Sequence, residues 1–415
     1  MISRISRVGA ALAVAAATVL ISPVAASHAE PAIGYGTDTD ACPFRVHTPK
    51  PIDESEVVQP GHPTPTPLPV PTPAAGGARL AACGVVSDPK AGATPTDLTS
   101  SGWLIADLDT GDVIAAKDPH GRYRPASTIK TLLALTSLKE LDLDTVVTGT
   151  TDDYGIEGDA CGIGPDGTYT VRELLTGLLM VSGNDCANAL ARQLGGREQA
   201  LTKMNAVATS IGATDTRAAS PSGLDAPGMS TSPFDLALIF REAMQNADFR
   251  HMISLKEAHF PGYPALKDVP GDKAHPGYTM ATSNSLLRDG YPGMLGGKTG
   301  FTDDACKTFV GAVERDGRRL LIVQMAGLSV AGNMYVDQAR RMLDYGFAAP
   351  AGTTVGSLTT VERHDDAGST AHDAPHQASA DESSHLTPWL LGGACVLVIC
   401  GVAGAVVLRR RRAHD

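Results

Sequence analysis

Three short segments of the chain combine hydroxyl, amine and amide side chains in patterns that could carry out acyl transfer. In the first segment, Ser127 and Lys130 lie one helical turn apart, so the lysine amine can reach the serine hydroxyl. A serine hydroxyl becomes a good nucleophile when a neighbouring base accepts its proton, and a lysine can be that base when burial lowers its pKa. Pro125 is typical of a helix start, which would aim the positive helix end at the reacting oxygen. We therefore predict that Ser127 is the nucleophile and Lys130 its base.

The other two segments supply groups that could bind a peptide and move a proton. Ser182-Gly183-Asn184 lies between two predicted helices, where a hydroxyl can relay a proton and a carboxamide can orient a substrate amide. Lys298-Thr299-Gly300 is predicted as an edge strand that presents a cation and a hydroxyl to an anionic substrate end, and its glycine allows close backbone approach. Alone, each motif is common by chance. The chain even contains a decoy, Ser87-Asp88-Pro89-Lys90, in which the proline disfavours a helix.

Together, the three motifs follow the order Ser-x-x-Lys, Ser-x-Asn and Lys-Thr-Gly that occurs in penicillin-recognising serine enzymes. Across about residues 95–349, the chain resembles a low-molecular-mass penicillin-binding protein of the serine D-alanyl-D-alanine carboxypeptidase family, of the actinobacterial type. The resemblance is carried by the segments 125–131, 182–185, 204–205, 221–224, 230–231 and 298–302.

The resemblance implies an enzyme that removes the terminal D-alanine from peptidoglycan pentapeptide stems through an acyl-enzyme and binds penicillin covalently. Ser127 would attack the carbonyl of the penultimate D-alanine, Lys130 would take its proton, and Ser182 would relay a proton to the leaving D-alanine. The substrate would be held by Asn184, Lys298, Thr299, Gly300, Phe301 and Thr302. The backbone N–H groups of Ser127 and Phe301 would form the oxyanion hole. We expect no cofactor and no metal.

Two rival functions fit parts of this pattern. A class A β-lactamase needs a carboxylate, normally Glu, after the second motif to activate the deacylating water. Residues 199–241 contain no Glu, and their acids are Asp215, Asp225 and Asp235. A membrane β-lactam sensor would be expected to carry a cytoplasmic output domain, whereas only residues 409–415 follow the apolar C-terminal run. A transpeptidase that shares the acyl-enzyme stays open.

One segment departs from the family pattern. Family members often carry a basic residue shortly before Lys-Thr-Gly, whereas residues 282–287 read Thr-Ser-Asn-Ser-Leu-Leu. This departure puts binding of the substrate carboxylate by an arginine at that point in doubt.

The elements that must position these motifs are strands at both ends of the domain and a run of helices between them. Strands are predicted at 103–108, 113–116, 308–313 and 319–325, and helices at 127–141, 171–181, 185–194, 197–211, 233–245 and 334–347. This order predicts an α+β fold with an antiparallel sheet flanked by helices, rather than a βαβ repeat. The resemblance implies the β-lactamase/DD-peptidase type with a helical subdomain.

The segments outside this domain predict export and membrane attachment. Residues 1–29 have the pattern of a signal peptide, with a permanent N-terminal anchor as the alternative. Residues 30–99 form a Pro-rich arm, predicted to be an extended spacer that cannot bury a core. The catalytic domain spans 100–349, followed by a flexible stalk at 350–386 and a transmembrane helix at 387–408.

The charge pattern places this catalytic domain on the extracytoplasmic side of the cell membrane. The four arginines at 409–412 favour a cytoplasmic tail at 409–415, so the transmembrane helix would be a single-pass anchor. The net charge of −11 argues against a nucleic-acid partner. We expect a monomer whose partners are peptidoglycan stem peptides and β-lactam antibiotics.

Five cysteines lie outside the predicted anchor: Cys42, Cys83, Cys161, Cys186 and Cys306. An exported domain permits disulfides, but five cysteines cannot all pair within one chain. We favour the pairs Cys42–Cys83 and Cys161–Cys186, which leave Cys306 over. Spacing alone does not fix this connectivity.

Overall fold

An antiparallel sheet forms the centre of the computed structural model, which describes residues 37–359. Its strands are β1 (Val85–Ser87), β2 (Gly102–Asp107), β3 (Asp112–Lys117), β8 (Met294–Thr302), β9 (Cys306–Arg315), β10 (Arg318–Gly327) and β11 (Gly356–Ser357). Their order is β1-β3-β2-β10-β9-β8, and the seventh strand, β11, also pairs with β3. The third motif therefore lies on an edge strand, as the sequence predicted.

Helices fill the chain between β3 and β8, interrupted by two small antiparallel hairpins. The hairpins are β4 (Val146–Thr148) with β5 (Thr168–Thr170), and β6 (Glu257–Phe260) with β7 (Tyr278–Ala281). The helices are α1 (Lys130–Glu140), α2 (Thr151–Tyr154), α3 (Val171–Met180), α4 (Asn184–Gln193), α5 (Arg197–Ser210), α6 (Pro233–Ala243), α7 (Ala247–Ile253), α8 (Ser285–Arg288) and α9 (Tyr335–Ala348).

Alternation along β2 divides the core into two layers, because successive strand residues face opposite sides of a sheet. Leu104 and Ala106 pack with the helical layer that contains α1, α3, α4 and α6. Trp103 and Ile105 pack on the other face, against Met342 and other residues of α9. The predicted α+β architecture with an antiparallel sheet is confirmed.

The two helices around the second motif begin and end where local sequence rules place them. Thr170 caps α3, because its hydroxyl accepts the N–H of Glu173 at 3.2 Å while the Glu173 carboxylate accepts the N–H of Thr170 at 2.7 Å. After a short break at residues 181–183, α4 begins at Asn184. The second motif thus occupies the junction between two helices fixed by the core.

The Pro-rich arm differs from its prediction as an extended spacer. Leu80 is fully buried, β1 of the arm pairs with β3, and a disulfide joins Cys42 to Cys83. The composition does leave the arm without a core of its own. Proline has no N–H, so the backbone carbonyls of a Pro-rich segment lack partners within the segment and can accept hydrogen bonds from the domain.

The C-terminal boundary of the folded domain also differs from the prediction at residue 349. Val355 and Leu358 are buried in the helical layer of the core, and β11 adds to the edge of β3 beside β1. The first residues of the predicted stalk therefore belong to the sheet.

Several predicted segments lie outside the described residues: the signal peptide at 1–29, the stalk from residue 360, the transmembrane helix at 387–408 and the tail at 409–415. Within residues 37–359, no helix combines the length and hydropathy that a bilayer crossing requires.

Candidate active site

Ser127 lies on a tight turn at the entrance to α1. The turn is a 3-10 helix at Ala126–Ile129, and Ala126 adopts a left-handed backbone conformation with φ of 47°. The carbonyl of Pro125 accepts hydrogen bonds from the hydroxyls of Thr128 at 2.6 Å and Thr308 at 2.8 Å. Because Thr308 belongs to β9, this contact ties the turn to the sheet.

The amine of Lys130 lies at the centre of a converging set of polar atoms. Its Nζ is 2.8 Å from Ser127 Oγ, 2.7 Å from Asn184 Oδ1, 2.6 Å from the Ser222 carbonyl and 3.4 Å from Ser182 Oγ. The side chain is fully buried. Burial, followed by the nearby charge of Lys298, holds the pKa of Lys130 well below its ordinary value.

The contacts of Lys130 are compatible with a neutral amine. The Asn184 and Ser222 oxygens only accept hydrogen bonds, so they take the two N–H groups of a neutral Lys130. The lone pair of Nζ can then accept the Ser127 hydroxyl proton at the observed 2.8 Å separation. The pair predicted from the Ser-x-x-Lys spacing therefore has the contact that proton transfer needs, and the lowered pKa of Lys130 favours the neutral form.

The second motif supplies a hydroxyl and a carboxamide on the opposite wall of the cleft. Ser182 has a positive φ of 66°, which turns the chain sharply between α3 and α4. The Asn184 side chain spans the site, since Oδ1 accepts from Lys130 while Nδ2 donates to the Glu157 carbonyl at 2.7 Å. Asn184 thus contacts the Lys130 amine as well as facing the cleft.

A loop at residues 156–164 completes this wall, and sequence reasoning missed it. The Asp185 carboxylate accepts four backbone N–H groups, from Cys161, Gly162, Ile163 and Cys186, at 2.8 to 3.0 Å. The Cys161–Cys186 disulfide joins the same loop to α4. The predicted pairing was the available signal, because it brings residues near Cys161 to the second motif.

This loop also brings Asp159 to the cleft. Its carbonyl accepts the N–H of Asn184 at 2.6 Å, and its side chain is exposed along the cleft. The Asp159 charge raises the pKa values of two buried lysines, Lys130 and Lys298, although burial lowers both by a larger amount.

The third motif forms the sheet wall. Lys298 is fully buried, and its Nζ donates to the Thr299 carbonyl at 2.7 Å. Burial lowers the pKa of Lys298 to about 7, with the Asp159 charge opposing that shift. The hydroxyls of Thr299 and Ser283 lie 3.3 Å apart. Ser283 belongs to residues 282–287, the segment that departs from the family pattern, so this segment still contacts the third motif.

Gly300 is required where β8 passes Ser127. A Cβ atom there would lie 2.9 Å from the Ser127 backbone nitrogen and 2.4 Å from Thr308 Oγ1, closer than packed atoms approach. The next side chain, Phe301, is 56% exposed. The strand therefore comes into close contact with the turn that carries Ser127 while leaving an aromatic ring at the cleft mouth.

The cleft between these walls measures about 620 Å³. The structure brings all of the predicted site residues to it: Ser127, Ser182, Asn184, Thr299, Gly300, Phe301 and Thr302 line the cleft, and Lys130 and Lys298 lie beneath. The decoy serine is distant, because Ser87 belongs to β1 near the opposite edge of the sheet. Sequence reasoning assigned no role to the Ser222 carbonyl, which only the folded chain brings to Lys130.

Four of the five cysteines outside the predicted anchor form the pairs that the sequence favoured. Both favoured disulfides are present, and Cys306 is free and buried. Cys161, Asp185 and Cys186 lie close enough together to suggest a metal site. However, their sulfur atoms form a disulfide and the Asp185 carboxylate is occupied by backbone N–H groups, so this set is not available to a metal.

The comparison with protein families agrees with the geometry of the cleft. A family model described as D-alanyl-D-alanine carboxypeptidase matches residues 89–328. The chain belongs to the D-alanyl-D-alanine carboxypeptidase family. A serine acyl-enzyme is general to this family. The match covers every residue of the cleft named above.

Individual relatives support the same assignment. D-alanyl-D-alanine carboxypeptidase DacB2 of Mycobacterium tuberculosis is 45% identical over 272 residues, which cover 65% of this chain and 89% of that protein. A D-alanyl-D-alanine carboxypeptidase of Streptomyces sp. strain K15 is 29% identical over 285 residues, covering 66% of this chain and 95% of the relative.

Solved structures in the family have the same fold. The crystal structure of a D-alanyl-D-alanine carboxypeptidase from Mycobacterium tuberculosis H37Rv is 44% identical, with a TM-score of 0.60, and the match covers 66% of this chain and 99% of that one. The Streptomyces K15 DD-transpeptidase is 28% identical, with a TM-score of 0.56, covering 62% of this chain and 99% of that one.

Proposed function

We propose that this chain is a serine-type D-alanyl-D-alanine carboxypeptidase that trims the terminal D-alanine from peptidoglycan pentapeptide stems. The observation that carries the proposal is the 2.8 Å contact between Ser127 Oγ and the buried amine of Lys130. Family membership supplies the reaction class, and this contact supplies the nucleophile and its base.

Acylation begins with attack of Ser127 Oγ on the carbonyl carbon of the penultimate D-alanine. The hydroxyl proton passes to Lys130 Nζ as the new C–O bond forms. The negative charge on the carbonyl oxygen is stabilised by the backbone N–H groups of Ser127 and Phe301. Collapse of this intermediate breaks the C–N bond, and Ser182 relays the proton from Lys130 to the leaving D-alanine nitrogen, in keeping with its 3.4 Å separation from Nζ.

The sheet wall holds the substrate in this reaction. Thr299 and Lys298 receive the terminal carboxylate, Asn184 and β8 align the peptide backbone, and Gly300 leaves space beside Ser127. Water then attacks the ester, which releases the tetrapeptide and returns the proton to Ser127. β-Lactams acylate Ser127 in the same way and leave slowly.

The acids between the second and third motifs disfavour rapid β-lactam hydrolysis. Asp215 pairs with buried Arg122, Asp235 accepts the Thr216 hydroxyl, and Asp225 hydrogen-bonds Thr302. Each carboxylate thus contacts a neighbouring side chain of the fold, and none is the Glu that a class A β-lactamase uses to activate water. Transfer to an amine acceptor is the second candidate, since a relative of similar fold is a DD-transpeptidase.

We also propose that the enzyme acts outside the cytoplasm as a monomer held by a C-terminal membrane helix. The apolar run at 387–408 and the arginines at 409–412 support the anchor. The two disulfides support an oxidising compartment. Protease accessibility of the domain in intact cells, before and after removal of residues 387–415, tests this arrangement.

Mass spectrometry of a pentapeptide ending in Lys-D-Ala-D-Ala tests the activity. We expect the wild type to release one alanine, Ser127→Ala to release none, and Ser87→Ala, in the decoy motif, to match the wild type. A penicillin adduct should likewise map to Ser127. Alanine release by Ser127→Ala, or none by the wild type, would contradict the proposal. Adding an amine acceptor and measuring the ratio of hydrolysed to transferred product separates carboxypeptidase from transpeptidase activity.

A further inference from the structure

The N-terminal arm contacts the domain through two buried arginines that precede the nucleophile. Arg122 is 1% exposed and donates hydrogen bonds to arm carbonyls of Val46 at 2.9 Å and of Leu68 and Pro69 at 2.7 Å. Arg124 is also 1% exposed and lies three residues before Ser127. Two guanidinium groups on one short segment thus face the arm immediately ahead of the active-site turn.

Glu56 of the arm forms a bidentate pair with Arg124. Glu56 Oε2 accepts a hydrogen bond from Arg124 Nη2 at 2.9 Å, and Glu56 Oε1 accepts one from Arg124 Nε. The Arg124 side chain is fully buried and that of Glu56 is 13% exposed, so the pair is almost completely removed from water. Planar bidentate pairs of this kind fix orientation as well as charge.

The same short stretch of arm also contacts the end of the sheet wall. Asp304, two residues after Thr302, accepts the backbone N–H of Ile52 at 2.6 Å and the Ser55 hydroxyl at 3.1 Å. Residues 52–56 therefore connect the segment before Ser127 with the segment after β8.

A third carboxyl group belongs to this junction. Asp225 hydrogen-bonds Thr302, and burial raises its pKa to about 6, while the charge of Arg124 opposes that shift. The Asp225 Oδ1 atom is buried and, among the described residues, has no hydrogen-bond partner. The electrostatic environment of β8 thus depends on the same guanidinium that Glu56 holds.

Residues 30–88 of the arm, which include Glu56, lie outside the part of the chain that the family model matches, residues 89–328. On the basis of the proposed function, we propose that Glu56 is a positioning residue that acts through Arg124. With the neighbouring arm residues that bind Asp304, it holds the Ser127 turn and the end of β8 at the separation that acylation requires.

This proposal differs from a purely stabilising role of the arm. An arm that only stabilises the fold would change the melting temperature and leave the acylation rate of the folded protein unaltered. A positioning residue changes the rate of bond formation, because a misplacement of about 1 Å at the reacting atoms costs roughly 100-fold in rate. Affinity for the unreacted ligand should change much less.

The test measures acylation of the purified full chain by a fluorescent penicillin, well below its melting temperature, and resolves the bond-forming rate constant from the preceding dissociation constant. We expect Glu56→Gln to lower the rate constant by about tenfold or more with little change in the dissociation constant. Glu56→Asp, which keeps the charge on a shorter side chain, should give an intermediate rate. Glu54→Gln, an exposed acid of the same stretch, is the matched control and should behave as the wild type.

Three results would overturn the proposal. One is Glu56→Gln acylated at the wild-type rate, even with a lower melting temperature. The second is an equal loss in Glu54→Gln. If Glu56→Gln does not fold, a wild-type rate in folded Glu56→Asp is the third. Failure of the wild type itself to form an adduct on Ser127 would instead refute the proposed function, and the two failures are thereby distinguished.

Discussion

The two walls of the cleft are held by different kinds of interaction. The helical wall, formed by the loop at 156–164 and residues 182–186, depends on one carboxylate and one disulfide, since Asp185 binds four backbone N–H groups and Cys161 is joined to Cys186. The sheet wall is β8, whose position follows from its hydrogen bonds to β9 and from its contact with the Ser127 turn.

This difference predicts different consequences of damage. A loop has no regular hydrogen-bonding partner of its own, so losing its anchor releases it and leaves buried donors unpaired. A strand keeps its register when one side chain changes, because the backbone bonds persist. Damage to the helical wall should therefore lower stability and activity together, whereas damage to the sheet wall should lower activity with little loss of stability.

The largest effect is expected for Asp185→Ala. Three buried N–H groups and one partly buried N–H group lose their acceptor, and at about 1 kcal/mol for each, the free energy of unfolding should fall by roughly 4 kcal/mol. Acylation by a fluorescent penicillin should fall more than tenfold in the protein that remains folded. Asp152→Ala, an exposed acid at the start of α2, is the control for charge loss. Normal stability and acylation in Asp185→Ala would show that the carboxylate does not hold this wall.

Gly300→Ala tests the sheet wall. The added methyl group would lie 2.4 Å from Thr308 Oγ1 and 2.9 Å from the Ser127 backbone nitrogen, so it displaces the Thr308 hydroxyl and separates β8 from the Ser127 turn. The acylation rate should fall about 100-fold while the melting temperature changes little. Gly155→Ala is a suitable control, because its methyl group would meet its nearest neighbour at 3.4 Å. A large drop in melting temperature for Gly300→Ala would remove the contrast between the two walls.

Lys298 provides a pH test of the sheet wall. Its folded-state pKa of about 7 lies below the ordinary 10.5, so between these values the unfolded chain holds a proton that the folded protein has released. Stability contributed at this site therefore rises with pH through that window, and the full cost of burying the charge is present below pH 7.

Replacing Lys298 with Met removes this cost. The stabilisation of Lys298→Met relative to the wild type should be about 1 kcal/mol greater at pH 6 than at pH 8, as measured by denaturant unfolding. Lys90→Met, at an exposed position, should show no such difference. A difference that grows with pH would contradict the lowered pKa.

The smallest effect is expected for Asp159→Asn. The Asp159 charge links the two walls electrostatically, because it acts on the pKa values of Lys130 and Lys298. Because the Asp159 charge raises the pKa of Lys298 against the effect of burial, its removal should lower that pKa further. If the Lys298 cation receives the substrate carboxylate, the alkaline limb of kcat/KM shifts to lower pH. Glu157→Gln, on the same loop, should leave the profile in place. Equal shifts in both variants would mean that the effect is not specific to the cleft.

The sequence by itself was sufficient for the residues that carry the chemistry. Ser127 and Lys130 are one turn apart, so local helix geometry alone predicts their contact. The capping box at Thr170 and the Lys-Thr-Gly strand are likewise short-range patterns. The order of these motifs along the chain then indicated the fold and the family, because each motif fell in a predicted element of the required type.

Only the tertiary structure decided what surrounds those residues. The Ser222 carbonyl, the Asp159 carboxylate and Glu56 reach the site or its support from distant parts of the chain, through contacts that no spacing rule encodes. The arm was predicted as a spacer because its composition cannot form a core, yet composition does not reveal that unpaired carbonyls can be bound by another segment. Local patterns determine which groups can react, whereas burial and long-range pairing determine their protonation and position, since both depend on what the whole chain excludes from water.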